Sequence, residues 1–134
     1  MTIDELVENF EFFDDWEDRY AYLIELGDAL PTLPEGIKVP ANLVVGCMSQ
    51  VWLVADLDAE NRLQIQADSD ARIVRGLIAV LLVALQARTP AEVLATDVEA
   101  LFTRLGLDRH LSLNRRNGFA AMVQRARSYA RLAS

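Results

Sequence analysis

Hydrophobic positions in the first 30 residues recur at helical spacing and predict two amphipathic helices. Thr2 and Glu5 have the spacing of a capping box that opens the first helix, and Asp14 and Asp15 precede the second. The second helix is expected to end near Pro31, because proline cannot continue a helix.

The middle of the chain has a different pattern. Residues 31–46 contain three prolines and two glycines, which favours an extended, turning connection. Residues 49–56 and 61–68 are predicted to be strands, since apolar and polar residues alternate in the second of them, and residues 58–61 between them are typical of a turn. The sequence therefore predicts a β-hairpin with one buried face.

The second half is predicted to be helical. Residues 71–87 are apolar on nearly all sides of a helix, as expected of a central element, and Ser69 or Asp70 is predicted to cap it. Three further helical segments are predicted after it: one from Thr89 and Pro90, a short one from about Asp97 to Leu105, and the last from near Asn114 almost to the C-terminus.

Helices arranged around one hairpin predict an α+β fold, in which a small antiparallel β-sheet packs against several helices. A chain of 134 residues with 52% hydrophobic content is the size of one domain, so a single domain over residues 1–134 is expected. The longest apolar run, Leu77–Leu85, has nine residues against the roughly 20 that cross a bilayer. It is predicted to be a buried helix, and no membrane association is expected.

Charge is unevenly distributed. Residues 1–60 carry 14 acidic and two basic side chains, whereas residues 61–134 carry six acidic and 11 basic ones, within a net charge of -7. Such a chain can steer a protein partner electrostatically, but without a dense basic block it is a poor candidate for nucleic-acid binding. A single cysteine and an N-terminus without the features of a signal peptide predict a cytoplasmic protein.

Few residues suggest metal or nucleotide chemistry. The chain has one cysteine, Cys47, and one histidine, His110, whereas structural zinc needs four such ligands and an iron-sulfur cluster several thiolates. It contains none of the common phosphate-binding or serine-hydrolase motifs. His110 is interpreted as a surface or capping residue.

Cys47 allows two interpretations. A lone cysteine is often a small buried hydrophobe. Cys47, however, ends a Pro/Gly-rich segment, follows Gly46 and precedes the polar Ser49 and Gln50 at the start of a predicted strand. Reactive groups concentrate on such loops, so the context favours chemistry.

Arg115 is the second unusual position. On a helical wheel it falls in the middle of the apolar stripe of the last helix, which contains Phe119, Met122, Ala126, Tyr129 and Ala133. It also lies in the first turn, where the helix dipole disfavours a cation. Arg115 is therefore predicted to point inward, either toward a functional site or to cap carbonyls or pair with a buried acid. The neighbouring arginines form a stripe predicted to be solvated or to meet an acidic partner: Arg116, Arg127 and Arg131.

Four segments, in this order, resemble successive signatures of the SufE family of cysteine desulfuration proteins: WEDRYAYLIELGDALP (16–31), VVGCMSQVWL (44–53), DSDARIVRGLIAVL (68–81) and HLSLNRRNGFAAM (110–122). The resemblance implies the α+β fold that SufE shares with iron-sulfur scaffold proteins of the NifU/IscU type. Cys47 matches the sulfur acceptor and Arg115 matches an arginine at the start of the last helix. Leu113 departs from the family, whose members often have proline there.

The resemblance also implies a function in iron-sulfur cluster biogenesis. Cys47 would accept sulfur from the persulfide of a pyridoxal-phosphate-dependent cysteine desulfurase, SufS-like or CsdA-like, stimulate that enzyme, and pass the sulfur to a scaffold or another acceptor. No independent turnover and no cofactor of its own are expected. Without the additional cysteines of the scaffolds, this chain is not expected to hold a cluster.

Two hypotheses concern how Cys47 works. A nearby guanidinium and backbone N–H groups at 46–49 are expected to favour its thiolate. At rest the sulfur is expected to be shielded by apolar surface near Leu43, Val45 and Trp52, with Gly46 as a hinge. The alternatives are a non-transferring activator of a desulfurase, which uses Cys47 only for packing, and a thiol redox sensor, for which no resolving cysteine exists. The protein is expected to be a monomer or a weak homodimer.

Overall fold

The computed structural model describes residues 1–133. Its helices and strands are, in chain order, α1 (Ile3–Phe12), α2 (Trp16–Asp28), β1 (Val51–Leu57), β2 (Leu63–Ser69), α3 (Arg72–Leu85), α4 (Pro90–Ala95), α5 (Val98–Arg104), α6 (Leu107–His110) and α7 (Leu113–Ala133). None of the helices in residues 1–133 is long and apolar enough to cross a membrane.

The first two helices lie where the hydrophobic pattern predicts them. Thr2 and Glu5 form the predicted capping box, in which each side chain accepts a hydrogen bond from the other residue's backbone N–H group. Asp15 caps α2 by accepting a hydrogen bond from the N–H group of Glu17. The connection that follows α2 is extended, as predicted, and contains two short 3-10 turns at Glu35–Ile37 and Pro40–Asn42.

The predicted hairpin is present, and β1 and β2 pair antiparallel from Val51 opposite Ser69 to Leu57 opposite Leu63. Alternate residues of both strands are buried in the core. Asp58 holds the turn by accepting hydrogen bonds from the backbone N–H groups of Arg62 and Glu60 and from the Gln64 side chain. Hydrogen bonds from Arg62 and Gln64 lower the pKa of Asp58 to about 2.

Helix α3 is the central element that its apolar sequence predicts, and most of its residues are buried. The prediction that Ser69 or Asp70 caps it is wrong. Its N-cap is Ala71, which makes no side-chain capping bond. Both side chains are instead bonded to Gln50 in the loop before β1. Ser69 donates its hydroxyl to the Gln50 carbonyl at 2.7 Å, and Asp70 accepts the Gln50 N–H at 3.1 Å.

Three of the helices after α3, namely α4, α5 and α7, follow the predicted order, whereas the short α6 was not predicted. Thr89 and Glu92 form a capping box at α4, and Gly106, with φ +78°, separates α5 from α6. Ser112 accepts the Arg115 N–H at 3.3 Å and so caps α7, which begins one residue before the predicted position. Nearly all buried hydrophobic side chains of the described residues form one cluster, to which all these helices and both strands contribute. The structure has a small antiparallel sheet surrounded by helices. This confirms the predicted α+β fold class.

The prediction that the arginine stripe on α7 is solvated is wrong for one of its residues. Arg127 is not solvated, because its guanidinium makes a bidentate ion pair with Glu99 at 2.7 and 2.9 Å and donates to the Thr96 carbonyl. It joins α7 to the start of α5. Arg116 is exposed, as the prediction requires.

Candidate functional site

A closed loop carries Cys47 between the extended connection and β1. The N–H group of Val44 donates to the Val51 carbonyl at 2.8 Å and closes this loop at its base. On the C-terminal side, the bonds between Gln50 and the residues Ser69 and Asp70 attach the loop to the start of α3. Both ends of the loop are therefore fixed to regular structure.

The tip of the loop, residues 45–49, is held much less. Within residues 1–133, the backbone N–H groups of 45–49 donate no hydrogen bond to a residue outside the loop. Gly46 has φ +99°, a left-handed conformation that glycine adopts without strain. The tip is a segment that can move without breaking backbone hydrogen bonds to the rest of the domain.

The Cys47 thiol rests against α7. Its Sγ atom is half-buried and lies 3.6 Å from the Gly118 carbonyl oxygen, to which the thiol donates a weak hydrogen bond. Burial raises the pKa of the thiol. In this resting conformation the neutral thiol is favoured, contrary to the expectation that the surroundings stabilise the thiolate.

Shielding of the sulfur was expected, but the surface that provides it differs from the expected one. Val45 is 89% exposed and covers nothing, and Leu43 and Trp52 pair with each other at the base of the loop. The sulfur instead lies against α7 at Gly118, where even an added Cβ atom would be 3.6 Å from it, an ordinary contact distance.

A cavity of about 230 Å³ lies beside the thiol. It is bounded by the loop, by α3 and by the first turns of α7, and its lining residues are Cys47, Met48, Ser49, Val51, Val74, Leu77, Ser112, Asn114, Arg115, Gly118, Phe119 and Met122. The cavity brings together the two residues that the sequence singled out, Cys47 and Arg115.

Arg115 reaches this cavity without a partner for its charge. Its Nη1 atom is buried and has no hydrogen-bond partner among the described residues, and no carboxylate there lies within ion-pair distance. The prediction that Arg115 points inward is confirmed. The alternative prediction, that Arg115 pairs with a buried acid, is wrong for the described residues. An unsatisfied buried donor costs about 1–3 kcal/mol, which a ligand with an anionic group would recover.

Arg125 is a residue of the site that sequence reasoning missed. From α7 its guanidinium donates to the carbonyls of Leu43 and Ala41, both at 3.3 Å, and it lies 5.6 Å from the centre of the Tyr129 ring. It therefore holds the segment that leads into the Cys47 loop. The signal in the sequence was its spacing of four residues from Tyr129 on the edge of the apolar stripe.

Two other residues of the family-like segments make contacts that stabilise the fold. Asp68 is buried in the third segment of the family resemblance and pairs with Lys38 at 3.2 Å and Arg75 at 3.0 Å. His110 stacks on Trp16 with ring centres 4.3 Å apart, which is consistent with its interpretation as a surface residue. Both contacts join separate parts of the chain.

The chain as a whole is similar to known proteins. Residues 4–130 match the SufE family, described as an Fe-S metabolism associated domain, and the chain belongs to that family. It therefore has a role in iron-sulfur metabolism.

Individual relatives agree with this assignment. The chain is 46% identical to an uncharacterized SufE-like protein of Rhizobium etli, over 98% of this chain and 90% of that protein. It is 44% identical to an uncharacterized SufE-like protein of Rhizobium meliloti, over 96% of this chain and 94% of that one. The solution structure of a hypothetical protein from Thermus thermophilus has the same fold, with a TM-score of 0.80 over 99% of this chain and 98% of that chain at 21% identity.

Proposed function

We propose that this protein is a sulfur carrier, in which Cys47 takes the outer sulfur of a persulfide formed on a cysteine desulfurase and delivers it to an iron-sulfur scaffold or another acceptor. The observation that carries the proposal is the Cys47 thiol on a loop with fixed ends, placed over a cavity that also holds the Arg115 guanidinium with its unused Nη1 donor. Membership of a family with a role in iron-sulfur metabolism supports it.

The transfer requires one bond to form and one to break. The Cys47 thiolate attacks the outer sulfur of the donor persulfide, a new sulfur-sulfur bond forms on Cys47, and the donor cysteine leaves as a thiolate. The proton lost by Cys47 goes to solvent or to the leaving thiolate. The number of disulfide-type bonds is unchanged, so the step needs no external oxidant or reductant.

The resting geometry requires the loop to move before this reaction. A half-buried, protonated thiol is a poor nucleophile and cannot approach a sulfur on another protein. Because the N–H groups of 45–49 donate no hydrogen bond to described residues outside the loop, the tip can swing outward while the contacts of Val44 and Gln50 hold its ends. Outward movement also removes the burial that raises the pKa of Cys47.

After transfer, the inward position would protect the cargo. A persulfide is more acidic than a thiol and carries negative charge near neutral pH, and the buried Nη1 of Arg115 offers that charge an unused donor. Burial against α7 would limit attack by small cytosolic thiols, which remove sulfur by the same exchange reaction. In this proposal the chain needs no cofactor of its own, because pyridoxal phosphate belongs to the partner desulfurase.

Mass spectrometry tests the relay. The protein is mixed with a cysteine desulfurase and free cysteine, and we expect Cys47 to gain the mass of one or more sulfur atoms, while Cys47→Ser gains none and loses stimulation of sulfide release. The alternative, an activator that does not carry sulfur, predicts normal stimulation by Cys47→Ser. That result would exclude the relay.

The role of Arg115 is tested by comparison with its neighbour. Arg115→Ala is expected to slow sulfur transfer to Cys47 about tenfold, from the loss of one charge-assisted interaction, while changing desulfurase binding less than about twofold. Arg116→Ala is the matched control, since Arg116 is exposed and does not line the cavity. Equal effects of the two variants would mean that Arg115 acts only through general positive charge.

A further inference from the structure

The loop that turns its sulfur inward turns its large apolar side chains outward. Val45 is 89% exposed and Met48 is 83% exposed, on either side of the half-buried Cys47. Leu113, which is 61% exposed, lies between Ser112 and Asn114, and both of these line the cavity beside the thiol. We call Val45, Met48 and Leu113 the apolar rim.

Folding alone does not explain the rim. Large apolar side chains gain free energy when they leave water, and these three remain outside the hydrophobic cluster to which the helices and strands contribute. The rim also lies beside Cys47, the residue that is proposed to react with a sulfur on a second protein. Apolar surface around a reactive group is the usual character of a contact surface for a partner.

Geometry identifies the partner. A donor sulfur must come within bonding distance of Cys47 Sγ, and consecutive Cα atoms are only about 3.8 Å apart. Met48 is one residue and Val45 two residues from Cys47, so their side chains must contact the protein that brings the sulfur. We propose that the apolar rim is the docking surface for the sulfur donor, and that the donor presents an apolar surface around its persulfide cysteine. This inference rests on the proposed function.

The three side chains of the rim are uncharged. Attraction between the acidic and basic parts of two proteins is screened by salt over about 10 Å at 0.1 M ionic strength, whereas apolar burial is not. The contribution of the rim to binding is therefore expected to be the same at low and at high salt.

The test measures binding and turnover separately. Val45→Ser/Met48→Gln is expected to raise the apparent Kd for a holo cysteine desulfurase about tenfold at both low and high salt, about 50 mM and about 500 mM in the assay. At saturating protein, Val45→Ser alone, which does not alter the cavity lining, is expected to change the rate of persulfide formation on Cys47 less than about twofold. Leu113→Ser is expected to have a smaller effect in the same direction, because Leu113 is on α7 and not on the loop.

Phe12 and Leu132 supply matched controls. They are 80% and 85% exposed, as apolar as the rim residues, but lie on α1 and near the end of α7. Phe12→Ser and Leu132→Gln are expected to leave the Kd unchanged. Iodoacetamide alkylation of Cys47 in the protein alone is expected to have the same rate in the double variant as in the unaltered protein, which shows that the thiol is seated normally.

Three results would overturn the inference alone: an unchanged Kd in the double variant, an equal loss of affinity in Phe12→Ser, or a dimer of the unaltered protein that the double variant dissociates in sedimentation velocity. The last would show that a second copy of the chain occupies the rim. Absence of persulfide on Cys47 in the unaltered protein would instead overturn the proposed function, and this inference with it.

Discussion

Glycines have opposite uses at the α2–α3 crossing and in the Cys47 loop. At the crossing, a Cβ atom on Gly76 would lie 2.4 Å from the Leu23 carbonyl oxygen, and one on Gly27 would lie 2.5 Å from the Gly76 nitrogen. The two helix backbones touch there, and only hydrogen fits between them. In the loop, a Cβ atom on Gly46 would meet only the Ala121 Cβ at an ordinary 3.6 Å, and glycine is needed for its φ of +99°.

The comparison shows how a small domain combines a rigid support with a movable group. Helix α3 is packed on several sides and cannot shift without separating backbones, so the start of α3 is a fixed point. That fixed point holds Gln50 through Ser69 and Asp70. The tip of the loop, by contrast, is attached to the domain mainly through the weak bond between the Cys47 thiol and Gly118. Movement is thereby confined to a few residues around the thiol.

The largest expected effect comes from breaking the rigid region. Gly76→Ala places a methyl group against the Leu23 backbone, which cannot move aside without separating α2 from α3. Overpacking typically costs about 1–3 kcal/mol and occasionally more, and the upper end is expected here because the obstacle is backbone. Urea denaturation is expected to show that loss in the free energy of unfolding.

Gly36→Ala is the control for this variant. Nothing lies within 4 Å of a Cβ atom at Gly36, and its φ is not in the left-handed region. Its free energy of unfolding is expected to stay within about 0.5 kcal/mol of the unaltered value, in line with exposed substitutions generally. If Gly76→Ala were as stable as Gly36→Ala, the helices would not be in the close contact described.

A smaller effect is expected from loosening the base of the loop. Arg125→Met removes the donors to the Leu43 and Ala41 carbonyls while keeping most of the apolar length of the side chain. We expect the free energy of unfolding to fall by about 1 kcal/mol, typical of such hydrogen bonds, and alkylation of Cys47 by iodoacetamide to accelerate severalfold.

Arg127→Met provides a stability-matched comparison on the same helix. It loses the ion pair with Glu99 and the bond to the Thr96 carbonyl, both remote from the loop. Its stability is expected to fall by a similar amount with no change in the alkylation rate. Faster alkylation in both variants would indicate that general destabilisation exposes the thiol, and Arg125 would then have no specific role in positioning the loop.

Local pattern was sufficient to predict most of the fold and part of the site. Periodicity predicted the hairpin and every helix except the short α6, and the helical wheel predicted that Arg115 points inward, because each depends on neighbours close in sequence. Contacts between distant segments could not be obtained in this way. The Cys47 thiol and Gly118 are 71 residues apart, and Arg125 and Leu43 are 82 residues apart.

The wrong predictions have the same origin. Ser69 and Asp70 have the residue types of helix caps, but their oxygens bond to Gln50, about 20 residues earlier in the chain. Arg127 has the spacing of a solvated stripe, but Glu99 comes to lie beside it. For Asp70 and Arg127 a partner supplied by the tertiary fold replaced the local backbone group or the solvent that the pattern assumes. Ser69 keeps one local bond, from the Ala71 N–H at 3.2 Å, beside its bond to Gln50.

The mildest way to examine the loop is to titrate its thiol. Because burial raises the pKa of Cys47, the folded protein holds less thiolate at a given pH than the unfolded chain does, and the thiolate is the form that iodoacetamide alkylates. The alkylation rate is therefore expected to rise about tenfold per pH unit and to continue rising at pH values where a synthetic peptide of residues 42–52 has levelled off.

Adding an inactive desulfurase should shift the midpoint of the profile downward toward that of the peptide, since outward movement of the tip returns the thiol to water. Identical midpoints for the folded protein and the peptide would mean that the thiol is already exposed at rest, and the contrast between a fixed support and a shielded, movable tip would fail.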